Sequence, residues 1–447
     1  MIMNAERPNI LIVLFDTLRY DYFWKSVNDD SNFKKELSDF ISFDRAYSPS
    51  PWTLPTHFSL FTGMYPSEHH VHEDPNSELE DVFIKARDYN GNFLTRIASE
   101  NGYSTIAISA NPMISSITGF AGKFDKFYEV DEGILSGVRI SKRLSNTFLL
   151  RAEYYKSRVI STFRGFPKNK GYKIVLSLMD KIFLSNPFFI FLNLMEMHDP
   201  YNGKIHTDDN NKILNDFFGI ALLSDREIMD LRKTYYDQVE KVKYTIRELI
   251  RILKDKGKFE NTIFIITSDH GQALKEKGYY GHGVFLYDEL IHIPLLIKPP
   301  IGHFYDFKKE GYVSLISVHD FLESIIKGKA SPKLLYGEHV FSEAFGLQYS
   351  KSSLKEYLKE KNKNEIYDRS NVVRKAIMKD GQKLCLNAKS DIEEYYDDSK
   401  PSNRIGDMAK INDLLFDLGI FNIDENFVID NLAIETKKEV EKNGKKI

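Results

Sequence analysis

Residue types that ligate metal ions recur at the ends of predicted buried strands. They are Asp16, Glu196, His198, Asp269, His270 and His282. A side chain just past the carboxyl end of such a strand lies where open α/β sheets place their ligands. Carboxylates and imidazoles gathered at one sheet edge are a typical ligand set for a divalent metal ion. The sequence therefore predicts a metal site holding one or two ions.

A candidate nucleophile lies in residues 48–63 (Ser-Pro-Ser-Pro-Trp-Thr-Leu-Pro-Thr-His-Phe-Ser-Leu-Phe-Thr-Gly). The first prolines exclude a regular element, and Leu54, Phe58 and Phe61 then recur at helical spacing. This pattern predicts a helix with Thr53 as its N-cap. Free backbone N–H groups and the helix dipole favour a bound anion there. A hydroxyl at this point suits attack on a phosphate or sulfate ester, although a plain helix cap has the same pattern.

Apolar runs alternate with amphipathic segments along the chain. Continuous apolar runs are typical of strands buried inside a parallel sheet. The predicted strands cover residues 9–15, 103–109, 188–194, 262–266 and 292–297, and the main predicted helices cover 92–101, 223–254 and 318–326. This alternation predicts an α/β fold with a mostly parallel central sheet.

The alternation ends near residue 330, which predicts two parts. Residues 1–330 would form the α/β domain that carries the candidate site. Residues 331–447 would form a smaller C-terminal α+β subdomain and tail, with a hairpin over residues 376–386 around Asp380-Gly381. Residues 140–184 have a helical pattern rich in aromatic and basic side chains, which predicts an inserted lid.

Composition excludes several classes of protein. The 447 residues are 42% hydrophobic and 28% charged, which is typical of a globular chain. The net charge of −3 gives no basic field for nucleic acid. One cysteine, Cys385, allows no disulfide within the chain, and neither a secretory signal nor a membrane-spanning segment is evident. We expect a cytoplasmic protein; peripheral association with membranes or glycolipids and the oligomeric state stay open.

Four segments together resemble one family. Residues 7–19 (Arg-Pro-Asn-Ile-Leu-Ile-Val-Leu-Phe-Asp-Thr-Leu-Arg) resemble the N-terminal strand of the sulfatases in the alkaline phosphatase superfamily. Residues 53–66 are similar to the sulfatase signature, which begins at Cys or Ser and ends in Leu-Thr-Gly. Residues 268–271 (Ser-Asp-His-Gly) and 281–283 (Gly-His-Gly) match later motifs of the family. The resemblance covers roughly residues 7–330 and implies a three-layer α/β/α sandwich that binds a divalent metal.

The departures from the family pattern bear on the chemistry. Thr53 falls where sulfatases convert Cys or Ser to formylglycine, and oxidation of a threonine would give a ketone instead. His57 falls on the signature arginine, and Thr17 on the second carboxylate of an Asp-Asp pair. Asp269-His270 replaces the Asp-Asn of many calcium sulfatases, which favours Zn²⁺ or Mn²⁺, with Ca²⁺ or Mg²⁺ as alternatives.

The resemblance implies roles for the remaining candidates. Asp16, Asp269 and His270 would hold a metal that also binds Thr53 Oγ1 and activates it. His198 and His282 would bind the anion or protonate the leaving group. By superfamily analogy, a second metal would be held by Glu196, His198 and His282. The candidates for substrate contact are His57, Asn111 and Arg19.

Three hypotheses follow. The first is a metal-dependent hydrolase or transferase that acts on a phosphate mono- or diester through unmodified Thr53. The second is a sulfatase that works without formylglycine. The third is a catalytically silent relative that binds an anionic glycan or lipid. The expected substrate is a small-molecule, glycan or lipid ester, and its leaving group is not encoded in any motif.

Overall fold

The computed structural model describes residues 7–131, 137–140, 170–199, 201, 223–301, 307, 311–348, 351–360, 362, 364–388, 392–397, 414 and 417. At its centre lies β1 (Asn9–Phe15), whose seven residues are all buried. The strand has a parallel neighbour on each side. A continuous run of Ile, Leu, Val and Phe suits this position because both faces of the strand pack against apolar layers.

The other strands and the helices follow in chain order. The strands are β2 (Ile41–Ser42), β3 (Ala46–Tyr47), β4 (Ser104–Ser109), β5 (Lys126–Asp131), β6 (Gly137–Ile140), β7 (Phe188–Leu194), β8 (Thr262–Thr267), β9 (Ala273–Leu274), β10 (Tyr280–Gly281), β11 (Leu295–Lys298), β12 (Val313–Ser314), β13 (His339–Phe345), β14 (Val373–Lys379), β15 (Gln382–Asn387) and β16 (Ile392–Asp397). The helices are α1 (Tyr20–Asp29), α2 (Ser31–Glu36), α3 (Thr53–Thr62), α4 (Pro66–His69), α5 (Leu79–Asp88), α6 (Leu94–Glu100), α7 (Tyr172–Lys181), α8 (Asp225–Asp255), α9 (Asp288–Ile291), α10 (Leu315–Ile326), α11 (Lys351–Glu360) and α12 (Asn364–Ser370).

The main sheet has eight strands in the order β2-β11-β8-β1-β7-β4-β5-β6. The five strands from β8 to β5 are parallel, and the flanking pairings with β11, β2 and β6 are antiparallel. The carboxyl ends of β8, β1, β7 and β4 therefore meet at one edge. This is the mostly parallel sheet that the sequence predicts.

Helices cover both faces of this sheet. Even-numbered positions of β1 pack in one apolar cluster with α3, α6 and α10. Odd-numbered positions pack in a second cluster with α1, α7 and α8. Because successive side chains of a strand point to opposite faces, one apolar strand serves both clusters. The predicted three-layer sandwich is confirmed.

A separate four-stranded antiparallel sheet, β13-β14-β15-β16, forms the C-terminal subdomain. The predicted hairpin is present, with Asp380 and Gly381 at φ 50° and 76° between β14 and β15. Its buried side chains, including Val340 and Met378, share an apolar cluster with Leu290 of the main domain. The boundary near residue 330 stays a prediction.

Several predicted boundaries were wrong. The strand expected at 292–297 covers Leu295–Lys298 instead. Helix α9 ends at Ile291, and three residues connect it to the strand. Helix α10 begins at Leu315, where the Ser314 side chain accepts a hydrogen bond from Ile316 N. Of the expected lid, residues 141–169 lie outside the described residues, and α7 is the helix described next to them. Among the helices that the structure describes, no candidate is both long and apolar enough to span a bilayer.

Candidate active site and metal centre

Three of the predicted ligands converge at the carboxyl edge of the sheet. Asp16 follows β1, and Asp269 and His270 follow the adjacent parallel strand β8. One ligand atom from each lies within 4.8 Å of the others, and all three residues are fully buried. Parallel pairing brings these chain positions together because it aligns the carboxyl ends of both strands.

The electrostatics of this group fit a bound cation. Asp16 Oδ1 and Asp269 Oδ2 are buried and have no hydrogen-bond partner in the described part of the chain. Burial raises the pKa of Asp16. Burial, and then the nearby Asp16 charge, raise the pKa of Asp269 well above its ordinary value. A divalent ion would relieve both effects, because carboxylates that share a site repel one another without one. The donor set thus suits a divalent metal.

His270 is poised as a neutral ligand. Burial, followed by the charge of His282, lowers the pKa of His270 well below its ordinary value. Its Nδ1 lies 2.9 Å from the carbonyl oxygen of Gly271, to which it donates in the Nδ1-protonated tautomer. Nε2 then faces Asp269 Oδ2 at 3.5 Å. An imidazole oriented through its other nitrogen is the usual arrangement at metal sites.

Thr53 lies directly beside this group. Its Oγ1 donates to Asp16 Oδ2 at 3.3 Å and lies 3.4 Å from His270 Nε2. The prediction that Thr53 caps the helix was wrong: Trp52 is the N-cap, and Thr53 is the first residue of α3. Its hydroxyl is therefore free of a capping bond and faces the candidate metal ligands. Ser50, another hydroxyl residue near this turn, has a buried Oγ to which no described residue is hydrogen-bonded.

His57 does not have the substrate contact expected of it. The side chain is fully buried on α3. Its Nδ1 lies 2.8 Å from the Thr53 carbonyl oxygen, and its Nε2 is engaged by Asn193 Nδ2. Burial lowers the pKa of His57 to about 4, so the ring is neutral at neutral pH. Both nitrogens are used inside the protein, and His57 braces the start of α3.

Arg19 also differs from its expected role. Its guanidinium is buried and pairs with Asp21 at 2.7 Å and Glu276 at 2.6 Å, and it donates to the Gln272 carbonyl oxygen. Burial opposes its charge, but Asp21 and Glu276 outweigh burial and raise the pKa of Arg19. Arg19 thus connects the segment after β8 to the start of α1. Because its guanidinium already bonds to these groups, it does not offer a free pair of N–H donors to an anion.

Asn111 lies in the site, where its side chain contacts Asp16, a candidate metal ligand. Its Nδ2 donates to Asp16 Oδ2 at 2.5 Å from the end of β4. Asn111 thus contacts a carboxylate of the candidate metal site, and its contact with substrate stays a prediction.

His198 and His282 form the solvent-facing rim. Both are partly exposed, and their ring centroids are 5.3 Å apart. His198 Nδ1 pairs with Asp199 Oδ1 at 2.9 Å. Burial lowers the pKa of His198, but the Asp199 charge outweighs it and raises that pKa to about 9. Burial lowers the pKa of His282 to about 3, and its Nδ1 lies 2.6 Å from Gln272 Oε1. At neutral pH the rim therefore offers one cationic and one neutral imidazole.

The predicted second metal is not supported. Glu196 Oε1 accepts a hydrogen bond of 3.0 Å from Tyr172 N at the start of α7. Within the described ranges, Glu196, His198 and His282 do not form a group whose ligand atoms lie within 4.8 Å of one another. Burial raises the pKa of Glu196 to about 8, and its other oxygen, Oε2, is buried without a hydrogen-bond partner among the described residues. Glu196 thus caps the start of α7 with Oε1, and a second metal at Glu196, His198 and His282 stays a prediction.

Sequence reasoning missed the contributions of three residues at the site. Asn193 interrupts the apolar run of β7, and that interruption was a readable signal. Thr17 has φ 61°, which is strained for a β-branched residue, and its backbone N–H donates to Asp269 Oδ1 at 3.2 Å. Lys170 is buried beside the site and lies in the segment expected to form a lid, where no motif marks it.

Curated relatives are distant. The chain is 23% identical to N-acetylglucosamine-6-sulfatase of Capra hircus over 329 residues, which cover 66% of this chain and 56% of that protein. It is 20% identical to an arylsulfatase of Clostridium perfringens, over 72% of this chain and 74% of the relative. The chain thus spans little more than half the length of the first of these relatives.

Solved structures show the same fold. The phosphonate monoester hydrolase SpPMH from Silicibacter pomeroyi aligns with a TM-score of 0.60 at 16% identity, over 92% of this chain and 94% of that one. BT4656, in complex with its substrate D-glucosamine-2-N,6-O-disulfate, aligns with a TM-score of 0.61 at 15% identity, over 93% and 97%. At these identities the likeness concerns the fold alone.

The sequence model of the Sulfatase family matches residues 8–327 of the 447. The matched range contains Thr53 and the three candidate metal ligands at the ends of β1 and β8. Because the match covers well over half of the chain, this protein belongs to the sulfatase family.

Proposed function

We propose that this protein is a metal-dependent hydrolase or transferase of phosphate esters that uses Thr53 as its nucleophile. The observation that carries the proposal is the position of Thr53 Oγ1, 3.3 Å from Asp16 Oδ2 and 3.4 Å from His270 Nε2. A threonine cannot become formylglycine, so an unmodified hydroxyl has to attack. The fold is shared with phosphonate monoester hydrolases as well as with sulfatases.

The proposed metal is held by Asp16, Asp269 and His270. A divalent cation bound there would lower the pKa of the Thr53 hydroxyl and neutralise charge on the ester oxygens. Histidine among the ligands favours Zn²⁺ or Mn²⁺. The free backbone N–H groups at the start of α3 add an attraction for the anion.

Asp16 and His198 would carry out the proton transfers of the reaction. Asp16 Oδ2, which accepts the hydroxyl hydrogen bond, is placed to take the proton of Thr53 as Oγ1 forms its bond to phosphorus. The ester oxygen leaves and takes a proton from His198, whose cationic form Asp199 maintains. Water, or an acceptor alcohol in a transferase, then bonds to phosphorus and gives its proton to the now neutral His198, while Thr53 Oγ1 leaves and takes its proton back from Asp16.

The test is a substrate panel with purified, metal-loaded protein. Aryl phosphate monoesters, diesters, phosphonates and sulfates are compared for the wild type, Thr53→Ala and Thr53→Ser. We expect phosphate-type esters to react, kcat/KM to fall about 10³-fold or more in Thr53→Ala, and Thr53→Ser to keep measurable activity. Mass spectrometry of the quenched reaction should find a phosphoryl group on Thr53. Sulfate release alone, surviving Thr53→Ala, would overturn the proposal.

The second candidate is a sulfatase that works without formylglycine. The family match and the names of the curated relatives favour it. Exclusive release of sulfate in the same panel, lost in Thr53→Ala, would support this candidate. A protein that turns over no ester and retains no metal on purification would instead be a binding relative of the family.

A further inference from the structure

Lys170 lies in a constrained turn immediately before α7. Its φ is 42°, and that of the following Gly171, the N-cap of α7, is 94°. A Cβ added at Gly171 would lie 2.8 Å from a Val130 methyl group and 3.1 Å from Ala110 Cβ, so the turn is packed tightly against neighbouring strands. Such strained backbone persists only where its surroundings enforce it, and it clusters at functional sites.

The ammonium group of Lys170 is buried without a hydrogen-bond acceptor among the residues that the structure describes. The residue is 6% exposed, and none of these residues accepts a hydrogen bond from Nζ. Nζ lies over the face of the Tyr201 ring, 5.4 Å from the centroid. Burying an ammonium group without a hydrogen-bond acceptor is costly, so the arrangement indicates a missing acceptor.

The charge of Lys170 acts on the candidate site. It is among the charges that influence the titration of Asp16, Glu196 and Asp199. Burial lowers the pKa of Lys170 to about 8, so the side chain is still mainly cationic at neutral pH. From the turn before α7, the buried charge of Lys170 thus lies within electrostatic reach of Asp16.

The other basic residues described around the site cannot supply this charge freely. His57 and His282 are neutral at neutral pH. Arg19 is held by two carboxylates, and His198 is paired with Asp199. The sulfatase signature has an arginine at the position of His57, so the usual cation is absent from α3.

We propose that Lys170 Nζ binds a non-bridging oxygen of the tetrahedral oxyanion that Thr53 attacks, and so replaces, from the turn before α7, the cation missing at position 57. The inference deepens the proposed function and rests on its assignment of the oxyanion site. The recognised group is a phosphoryl or sulfuryl oxyanion, because both present the same tetrahedral oxygens to an ammonium donor.

The test measures anion binding by the metal-loaded protein, separately from turnover. Isothermal titration calorimetry with inorganic phosphate and with inorganic sulfate is compared for the wild type, Lys170→Met and Lys170→Arg. The matched control is Lys173→Met, which removes an exposed lysine from α7, three residues further along the chain. Loss of a charged hydrogen bond should weaken binding at least tenfold in Lys170→Met. Lys170→Arg should keep part of the affinity, and Lys173→Met all of it.

Thermal unfolding distinguishes a binding defect from misfolding. Lys170→Met should melt at or above the wild-type temperature, because an apolar side chain replaces an uncompensated buried charge. Unchanged anion affinity in Lys170→Met, equal loss in Lys173→Met, or a wild type that binds neither anion would overturn the proposal. Anion binding that depends on Lys170 without any ester turnover would overturn the proposed function and leave this inference standing. Turnover that depends on Thr53 but not on Lys170 would overturn this inference and leave the proposed function standing.

Discussion

The side-chain amide of Asn111 donates a 2.5 Å hydrogen bond to Asp16 Oδ2, the same oxygen that accepts from Thr53 Oγ1 at 3.3 Å. Asn111 is itself held in place, since its Oδ1 accepts from Met113 N and its backbone N–H donates to Ser109 Oγ. The end of β4 thus fixes the orientation of the carboxylate at the end of β1. Asp16 Oδ1 is left free for a metal.

Asn111→Ala should therefore weaken metal binding more than substrate binding. Partners that orient a ligand typically contribute about 10- to 100-fold to metal affinity, and we expect a loss in that range together with a lower kcat. Titration against a competing chelator measures the first effect and steady-state kinetics the second. Ser116→Ala, in the same loop, should leave both unchanged. A raised KM with normal metal affinity would instead place Asn111 on the substrate.

Asp269→Asn should separate metal binding from folding. In metal-free protein the substitution removes a like charge beside Asp16, so the melting temperature should equal or exceed that of the wild type. Added Zn²⁺ or Mn²⁺ should raise the wild-type melting temperature, and EDTA should reverse the rise. The variant should respond to neither. Equal stabilisation of both proteins by metal would remove Asp269 from the ligand set.

The ion pair between His198 and Asp199 should set the alkaline limit of activity. The raised pKa of His198, about 9, keeps the ring cationic below that pH and lets it protonate a leaving group. Asp199→Asn removes the main cause of that rise, so the alkaline limb of the kcat profile should move to lower pH. The effect should be larger for esters with poor leaving groups, because these depend more on a general acid. An unmoved alkaline limb would contradict this role.

Glu73 should make stability depend on pH. Its carboxylate accepts hydrogen bonds from Trp52 Nε1 at 2.5 Å and Phe345 N at 2.9 Å, so it links the N-cap of α3 to the C-terminal sheet. Burial raises its pKa from 4.5 to about 7. The raised pKa means that the folded protein favours protonated Glu73. The contribution of Glu73 to the free energy of unfolding is therefore complete below pH 4.5 and declines as the pH rises through 7.

Glu73→Gln cannot ionise and should lose this dependence. Between pH 4.5 and 8, the wild type should lose up to roughly 3 kcal/mol of unfolding free energy relative to the variant. Urea denaturation at several pH values measures the difference, with Glu80→Gln as a control on a nearby surface. Parallel pH profiles for the wild type and Glu73→Gln would show that Glu73 is already ionised in the folded protein.

Much of the site could be predicted because its positions follow from strand ends. The apolar runs that form β1 and β8 identify themselves locally, and parallel pairing then brings Asp16, Asp269 and His270 to one edge. Thr53 could be assigned to the start of α3 from helical spacing alone. The α/β fold class depends on the same local patterns, so it was also within reach.

The roles of single polar side chains were harder to predict. The residue types of Arg19 and His57 are equally compatible with binding a substrate and with hydrogen bonds inside the protein. Their partners, Glu276 for Arg19 and Asn193 for His57, are distant in sequence. Glu196 likewise matches a ligand by type, but one of its carboxylate oxygens, Oε1, accepts a hydrogen bond from the start of α7.

The sequence by itself determined the strands, the helix that begins at Thr53 and the ligand types at the strand ends, because backbone preference and apolar periodicity are local properties. Only the tertiary structure decided which of those side chains are free to act. That choice depends on burial and on hydrogen-bond partners far along the chain, as with Asn111 on Asp16 and Lys170 beside Tyr201. A buried polar group can act on a ligand only if its hydrogen-bonding capacity is not already used by a partner inside the protein.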